Sequence, residues 1–195
     1  DILIGTQMIA KGLHFPNVTL VGIVLADSTL HLPDFRAGER TFQLLAQVAG
    51  RTGRGATPGE VVVQTYTPEH PAVTAARTED FEAFAAGELP AREKLGYPPF
   101  TRLACLTLRG TDEQQVAVAA AGLARVLRET AGAGVRVSDS SPAPLAKARG
   151  QYRYQVLLRS PSAAELLRTL RPALREHRPP KGVVLAADMD AFSLM

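Results

Sequence analysis

Arginine is the side chain best suited to hold a phosphate, and the segment Gln47-Val48-Ala49-Gly50-Arg51-Thr52-Gly53-Arg54-Gly55 sets two of them three residues apart among glycines. A helix carrying Arg51 and Arg54 would put both guanidinium groups on one face near its end. The glycines would stop that helix and admit close backbone approach to a ligand. Because guanidinium is permanently charged and forks onto phosphate oxygens, the pair suits a transferring γ-phosphate. The same two residues would serve equally as partners of a helix C-terminal dipole. Other polar groups stand at the ends of apolar runs: Gly5-Thr6-Gln7, Lys11-Gly12 and Asp27. On a parallel sheet all of these, with Gln47, converge on one edge, where phosphate chemistry is built. The sequence has no Gly-x-x-x-x-Gly-Lys-Ser/Thr phosphate loop and no acidic metal-binding strand signature. Arginines for a γ-phosphate are present, but nothing holds the nucleotide. Such a pattern fits a second lobe reaching across a cleft.

A second constellation lies near the other end. Lys147, Arg149 and Arg153 with Tyr152 and Tyr154 combine phosphate-pairing charge with rings on which bases stack. Strand alternation places Tyr152 and Tyr154 on one face and Arg153 on the other, so they do not all meet one strand of nucleic acid. The tyrosines are equally good core residues and the arginines equally good solvated ones. Lys147 and Arg149, in an expected loop, are the favoured DNA contacts. Charge supports a polyanion-facing second half: residues 101–195 hold 14 Lys and Arg against 8 Asp and Glu, or +6, and residues 1–100 hold 8 against 11, or −3.

One cysteine, Cys105, excludes an internal disulfide and a zinc site built from several thiolates, and fits a reducing setting. The four histidines are scattered without metal-ligand spacing. No window approaches a membrane span and no signal-peptide pattern occurs. The opening Asp1, running straight into Ile2-Leu3-Ile4, reads as a chain cut within a domain.

The elements that must position these groups follow from periodicity. Residues 1–5 read as a buried strand, 6–12 as a short helix closed by Gly12, and the β-branched run 18–26 as a strand covered on both faces and ending at Asp27. Asp34 is placed to cap a helix over 34–49 with Phe35, Phe42, Leu45 and Ala46 as its stripe, and 59–66 is a third strand. This alternation predicts an α/β fold with a parallel sheet, part of a larger one. A helix over 69–95 is expected to be interrupted near Pro90, and Tyr97-Pro98-Pro99-Phe100 to run extended, which divides the chain into domains 1–96 and 97–195. Beyond it come strand 102–109, helix 112–130, short strand 135–137, loop 138–144, strand 151–159, a helix opened by Ser160-Pro161, and strand 181–187. Ser162 and Glu165 stand at capping-box spacing, Leu166, Leu167, Leu170 and Leu174 form the inner face, and Pro172 is expected to kink that helix or end it early. The order β-α-β-β-α-β predicts the split βαβ of ferredoxin-like α+β folds.

Several segments resemble one family. Residues 5–16 (Gly5-Thr6-Gln7-Met8-Ile9-Ala10-Lys11-Gly12-Leu13-His14-Phe15-Pro16) resemble helicase motif V of the bacterial primosomal protein N′ family, the replication-restart helicases called PriA. Asp34-Phe35-Arg36-Ala37-Gly38-Glu39-Arg40 and residues 47–54 resemble its following segment and motif VI. Tyr97-Pro98-Pro99-Phe100, Pro142-Ala143-Pro144, residues 149–154 and Asp188-Met189-Asp190 resemble its C-terminal landmarks. Thr52 stands where alanine is usual and Ala191 where a proline often follows.

The resemblance implies part of a second RecA-like helicase lobe followed by a ferredoxin-like C-terminal domain. It implies an ATP-dependent 3′-to-5′ DNA helicase that recognises stalled or abandoned forks and restarts replication through primosome assembly and helicase loading. Gln47, Arg51 and Arg54 would then face ATP, with one arginine as the finger. Thr6, Gln7, Lys11, Gly12 and Asp27 would couple nucleotide to DNA, and Lys147, Arg149, Tyr152 and Arg153 would bind DNA. ATP and magnesium would be the cofactors of the full-length protein, and zinc would sit in a cysteine-rich insertion with no ligands in this chain. Implied partners are single-stranded and forked DNA, primosome and helicase-loading proteins, and single-stranded-DNA-binding protein, for a cytoplasmic monomer without membrane contact. This stretch alone would be inactive. A scaffold of the same family whose motor is dead is the alternative; motifs V and VI argue against a free-standing RNA-binding protein.

Overall fold

The computed structural model describes residues 2–6, 18–50 and 59–194. Gln7, Lys11, Gly12, Arg51 and Arg54, with residues 7–12 of the predicted helix, lie outside the described residues. The chain divides into two compact units, residues 1–89 and 90–195.

In the first unit, β1 (Leu20–Ile23) leads to the single turn α1 (Asp27–Leu30), then α2 (Ala37–Ala49) and β2 (Glu60–Val63). β1 and β2 pair in parallel, with Leu20 opposite Glu60 and Ile23 opposite Val63. Helices α3 (Pro71–Arg77) and α4 (Phe81–Leu95) follow, and the division between the units falls inside α4. The core here is small and aromatic. Phe42 of α2 stacks on Phe84 with centroids 4.9 Å apart and meets Phe81 at 6.0 Å, while Leu45, Ala72, Ala75 and Ala76 close around it. Burying the Phe42 and Phe84 rings contributes about 2–3 kcal/mol each, so this cluster is what holds α2 in place.

Several expectations for this unit are corrected. Residues 2–6 form no strand among the described residues; Ile2 and Ile4 are 90% and 89% exposed, because no described strand offers them a partner. β1 is four residues long and alternates exposed with half-buried positions, since no layer covers its second face among the described residues. Helix α2 begins at Ala37, not at Asp34. The Asp34 side chain accepts from Arg36 N at 3.0 Å and pairs with Arg40 at 2.9 Å, holding the chain in a turn just before the helix. The break predicted near Pro90 occurs at residues 78–80 instead. There α3 ends and Asp80 Oδ1 accepts from Ala83 N at 2.8 Å, while Pro90 is accommodated within α4.

The second unit is an antiparallel sheet with two helices on one face. Strand β3 (Arg102–Gly110) precedes helix α5 (Glu113–Thr130), β4 (Arg136–Val137), β5 (Ser141–Ala148), β6 (Gln151–Ser160), helix α6 (Ala163–Glu176) and β7 (Val184–Met189). The order across the sheet is β4-β6-β3-β7, with β5 also pairing β6. Ala104, Leu106 and Leu108 of β3 and Val156 and Leu158 of β6 face the helices. They pack against Val116, Ala120, Leu123 and Leu127 of α5 and Leu166, Leu170 and Ala173 of α6. Both helices start on side-chain caps: Asp112 accepts from Gln115 N at 2.9 Å and Ser162 from Glu165 N at 3.4 Å.

Here too the structure amends the sequence reading. Residues 98–100 turn rather than extend, with Phe100 N donating to Tyr97 O at 3.2 Å. The expected loop over 138–144 is largely strand β5, which forms a hairpin with β6. Glu165 does not complete the capping box; its carboxylate accepts from Ser160 Oγ at 2.8 Å, and Pro161 precedes the cap. Helix α6 runs past Pro172 to Glu176 because Leu170 and Ala173, on either side of the proline, are locked in the core. Leu167 is 37% exposed, its expected inner place being filled by Thr169 and Ala173. Strand β7 begins at Val184, after the turn at 181–182.

Candidate nucleic-acid interface

Three expected residues of the first unit can be located. Thr6 is exposed at the end of segment 2–6, and Gln47 is exposed on α2 between the buried Leu45 and Val48. Asp27 differs from both, being 2% exposed. Its Oδ1 accepts from Thr67 Oγ1 at 2.6 Å and Thr65 Oγ1 at 2.8 Å, and its Oδ2 from Tyr66 N at 3.0 Å. The Thr67 hydroxyl foremost, then the Tyr66 N–H and the Thr65 hydroxyl, hold this carboxyl well below the usual carboxylate range against the opposing pull of burial. Asp27 thereby joins the segments leaving β1 and β2, at the edge where open parallel sheets place ligands.

In the second unit, the sheet face opposite the helices carries the expected basic residues. Odd positions of β6 turn toward this face and even positions toward the helices. Tyr154 accordingly packs on the helix-side core, and Arg153 points the other way. Lys147 lies in β5, not in a loop, and pairs with Tyr152; its ammonium donates to Tyr152 Oη at 3.0 Å and stands 4.4 Å over that ring. Arg149 occupies the two-residue turn between β5 and β6. The turn has φ 50° at Arg149 and 75° at Gly150, the left-handed pair of a type I′ hairpin. Of the four expected DNA contacts, two therefore join on the open face (Arg149 and Arg153), while Lys147 and Tyr152 engage each other on the opposite side.

A further arginine completes the open-face group. Arg109 is the direct cross-strand partner of Arg153, and both line with Arg149 a cavity of about 430 Å³. Cys105, Thr107 and Ala186 form part of its lining, and their small side chains leave the hollow. Asp188, opposite Cys105 in the register, lines the same cavity. Sequence reasoning missed Arg109. Its phase with Cys105 and Thr107 is legible, but only the β3–β6 register sets it beside Arg153. The other carboxylate of the Asp188-Met189-Asp190 segment is structural: Asp190 pairs with Arg102 and fastens the end of β7 to the start of β3, raising the Arg102 pKa.

Residues 93–191 match the family profile described as the primosomal protein N C-terminal domain. The chain belongs to this family. Its primosomal protein N C-terminal domain thus includes the whole antiparallel sheet, Arg109, Arg149, Arg153 and Asp188 among its residues. Similarity also extends through the first unit. The replication restart protein PriA of Bacillus subtilis (strain 168) is 42% identical over 198 residues, covering 100% of this chain and 25% of that protein. Those of Synechocystis sp. and Treponema pallidum (strain Nichols) are 40% and 44% identical, each covering 100% of this chain and 23% and 30% of the relative. The chain thus spans about a quarter of the length of these relatives. No helix among the described residues is long and apolar enough to cross a membrane, and none of their His, Cys, Asp and Glu residues group to hold a metal ion.

Proposed function

We propose that the chain is the C-terminal part of an ATP-dependent 3′-to-5′ DNA helicase that restarts replication at stalled or abandoned forks. The observation that carries this reading is similarity to replication restart proteins over the full 195 residues, both units included. On this reading the parallel β1–β2 pair with α2 is part of a RecA-like second lobe. On the same reading, the order β4-β6-β3-β7 with both helices on one face belongs to a ferredoxin-like domain to which β5 adds a further strand. Gln47, exposed on α2, is available to a nucleotide across a cleft, with Arg51 and Arg54 beyond it in sequence. Thr6, Gln7, Lys11 and Gly12 couple that nucleotide to DNA, and Asp27 supports them by fixing the sheet edge.

ATP and magnesium are then the cofactors of the full-length protein. Its zinc is held by residues other than those described here. The domain of residues 97–195 binds single-stranded and forked DNA through Arg149 and Arg153, with Lys147 and Tyr152 at the flank of the same hairpin. Primosome and helicase-loading proteins and single-stranded-DNA-binding protein are the partners, in a monomer working in the cytoplasm.

The test uses the full-length protein. Arg54→Ala is expected to lower DNA-stimulated ATP hydrolysis and unwinding by about a thousandfold or more, as loss of an arginine finger does, while fork binding stays within about twofold. Unchanged hydrolysis in Arg54→Ala would overturn the motor assignment. A wild-type protein that binds forks and loads partners without hydrolysis would support a motor-dead scaffold instead.

A further inference from the structure

We infer that the open-face cavity of the second unit is a one-nucleotide subsite for single-stranded DNA, with Arg109, Arg149 and Arg153 on the phosphate and Asp188 on the base. The inference rests on the DNA-binding reading above.

Three observations carry it. Arg109 and Arg153 are directly opposed on neighbouring antiparallel strands, an arrangement of like charges that destabilises a sheet. Neither they nor Arg149 has an ion-pair partner among the described residues, although Arg102 and Arg128 do. An anion is the missing counter-charge, and phosphodiester oxygens match the guanidinium fork. Arg149 also adopts φ 50° at a turn position where asparagine, aspartate or glycine is preferred. An unfavourable residue held in a left-handed conformation at a cavity rim is the kind of outlier that points to a task other than stability.

The cavity is also polar along its length. Arg109 and Cys105 are four residues apart on β3, about 13 Å at the usual strand rise. Asp188 faces Cys105, so positive charge lines one end and a carboxylate the other. A bare phosphate satisfies only the first end. A nucleotide satisfies both when its base presents an amino group to Asp188, as cytosine does with N4. Thymine, whose ring N–H lies between two carbonyl oxygens, meets the carboxylate poorly. Thr107, Ala186 and Cys105 leave room beneath the base, and small side chains at these positions are why a hollow exists.

The experiment titrates the 195-residue chain against fluorescein-labelled (dC)12 and (dT)12 by anisotropy at several salt concentrations. Wild type is expected to prefer (dC)12 by about fivefold, the low end of what one base contact discriminates. Arg109→Gln is expected to weaken both oligonucleotides about tenfold and to lower the magnitude of the salt slope by about 0.7, one phosphate contact on a single strand. Asp188→Asn is expected to bring the (dC)12 to (dT)12 ratio to about one without changing the salt slope. Arg149→Asn relieves the turn, so its melting temperature should rise while binding to both oligonucleotides falls; this separates a lost contact from a lost fold. Failure of wild type to bind either oligonucleotide would sink the DNA-binding reading itself. Binding with no cytosine preference, or an unchanged ratio in Asp188→Asn, would overturn the subsite alone. Competition by dCMP as effective as that by unlabelled (dC)12 would overturn single-stranded DNA as the source of the nucleotide.

Discussion

Asp27 shows how far a residue's type can be separated from its use. A carboxylate at the end of an apolar strand is where a catalytic or metal-binding group is expected, yet both of its oxygens are taken by Thr65, Thr67 and the Tyr66 N–H. Its folded pKa lies below the unfolded value near 4, so the contribution to stability is fully present above about pH 5 and is lost as the pH falls through the depressed folded value. Urea denaturation followed between pH 7 and pH 3 should therefore show a falling midpoint that Asp27→Asn largely flattens, from a lower starting value at neutral pH. An Asn variant with the wild-type midpoint and pH profile would show that this carboxylate does not hold the sheet edge. The arginines tell the opposite story: Arg109 and Arg153 keep a charge repulsion that the fold does not need, and a ligand explains it.

Among the elements, α5 is the one on which the second unit depends most. Val116, Ala120, Leu123 and Leu127 repeat at helical spacing and all enter the core against β3 and β6. Asp112 starts that helix by accepting from Gln115 N, so Asp112→Ala is expected to cost about 1 kcal/mol, read as a lower denaturation midpoint with an unchanged dependence on denaturant. The β5–β6 hairpin is built on a different principle. Its register passes through an irregularity between Pro142 and Lys147 and ends in the Arg149-Gly150 turn, which sets Arg149 at the cavity at the expense of turn preference. Pro172 shows a third: a proline lacks one backbone donor, but a helix held in the core on either side of it, by Leu170 and Ala173, continues through it.

At the scale of the molecule, the two units have different characters. The first pairs a short parallel sheet with an aromatic cluster and leaves Leu20, Val24 and Val62 exposed. The second closes a full core on one side of its sheet, and on the other side Arg109, Arg149, Arg153 and Asp188 share a cavity with Ser193 and Leu194. On the proposed reading Arg51 and Arg54 serve a γ-phosphate, and the sequence holds no phosphate loop beside them. The 195-residue chain by itself is accordingly expected to hydrolyse no ATP, with or without DNA, in a coupled-enzyme assay on highly purified material. Turnover that co-purifies with the chain and disappears in Arg54→Ala would contradict the division of the nucleotide site.

The family, the parallel pairing in the first unit, both helices of the second and the cap at Ser162 were legible in the sequence alone, because each rests on local spacing: motif residues, a period of 2 or 3.6, an acceptor three residues ahead of a free N–H. Arg153 on the face away from Tyr152 and Tyr154 was legible for the same reason. What only the tertiary structure decided is long-range. Thr65 and Thr67 reach Asp27 across 38 and 40 residues, and Arg109 meets Arg153 across 44. Alternation fixes which face a strand residue occupies, but not which strand lies beside it or in what register. A cavity formed by several strands and a hairpin turn has no signature in any one of them.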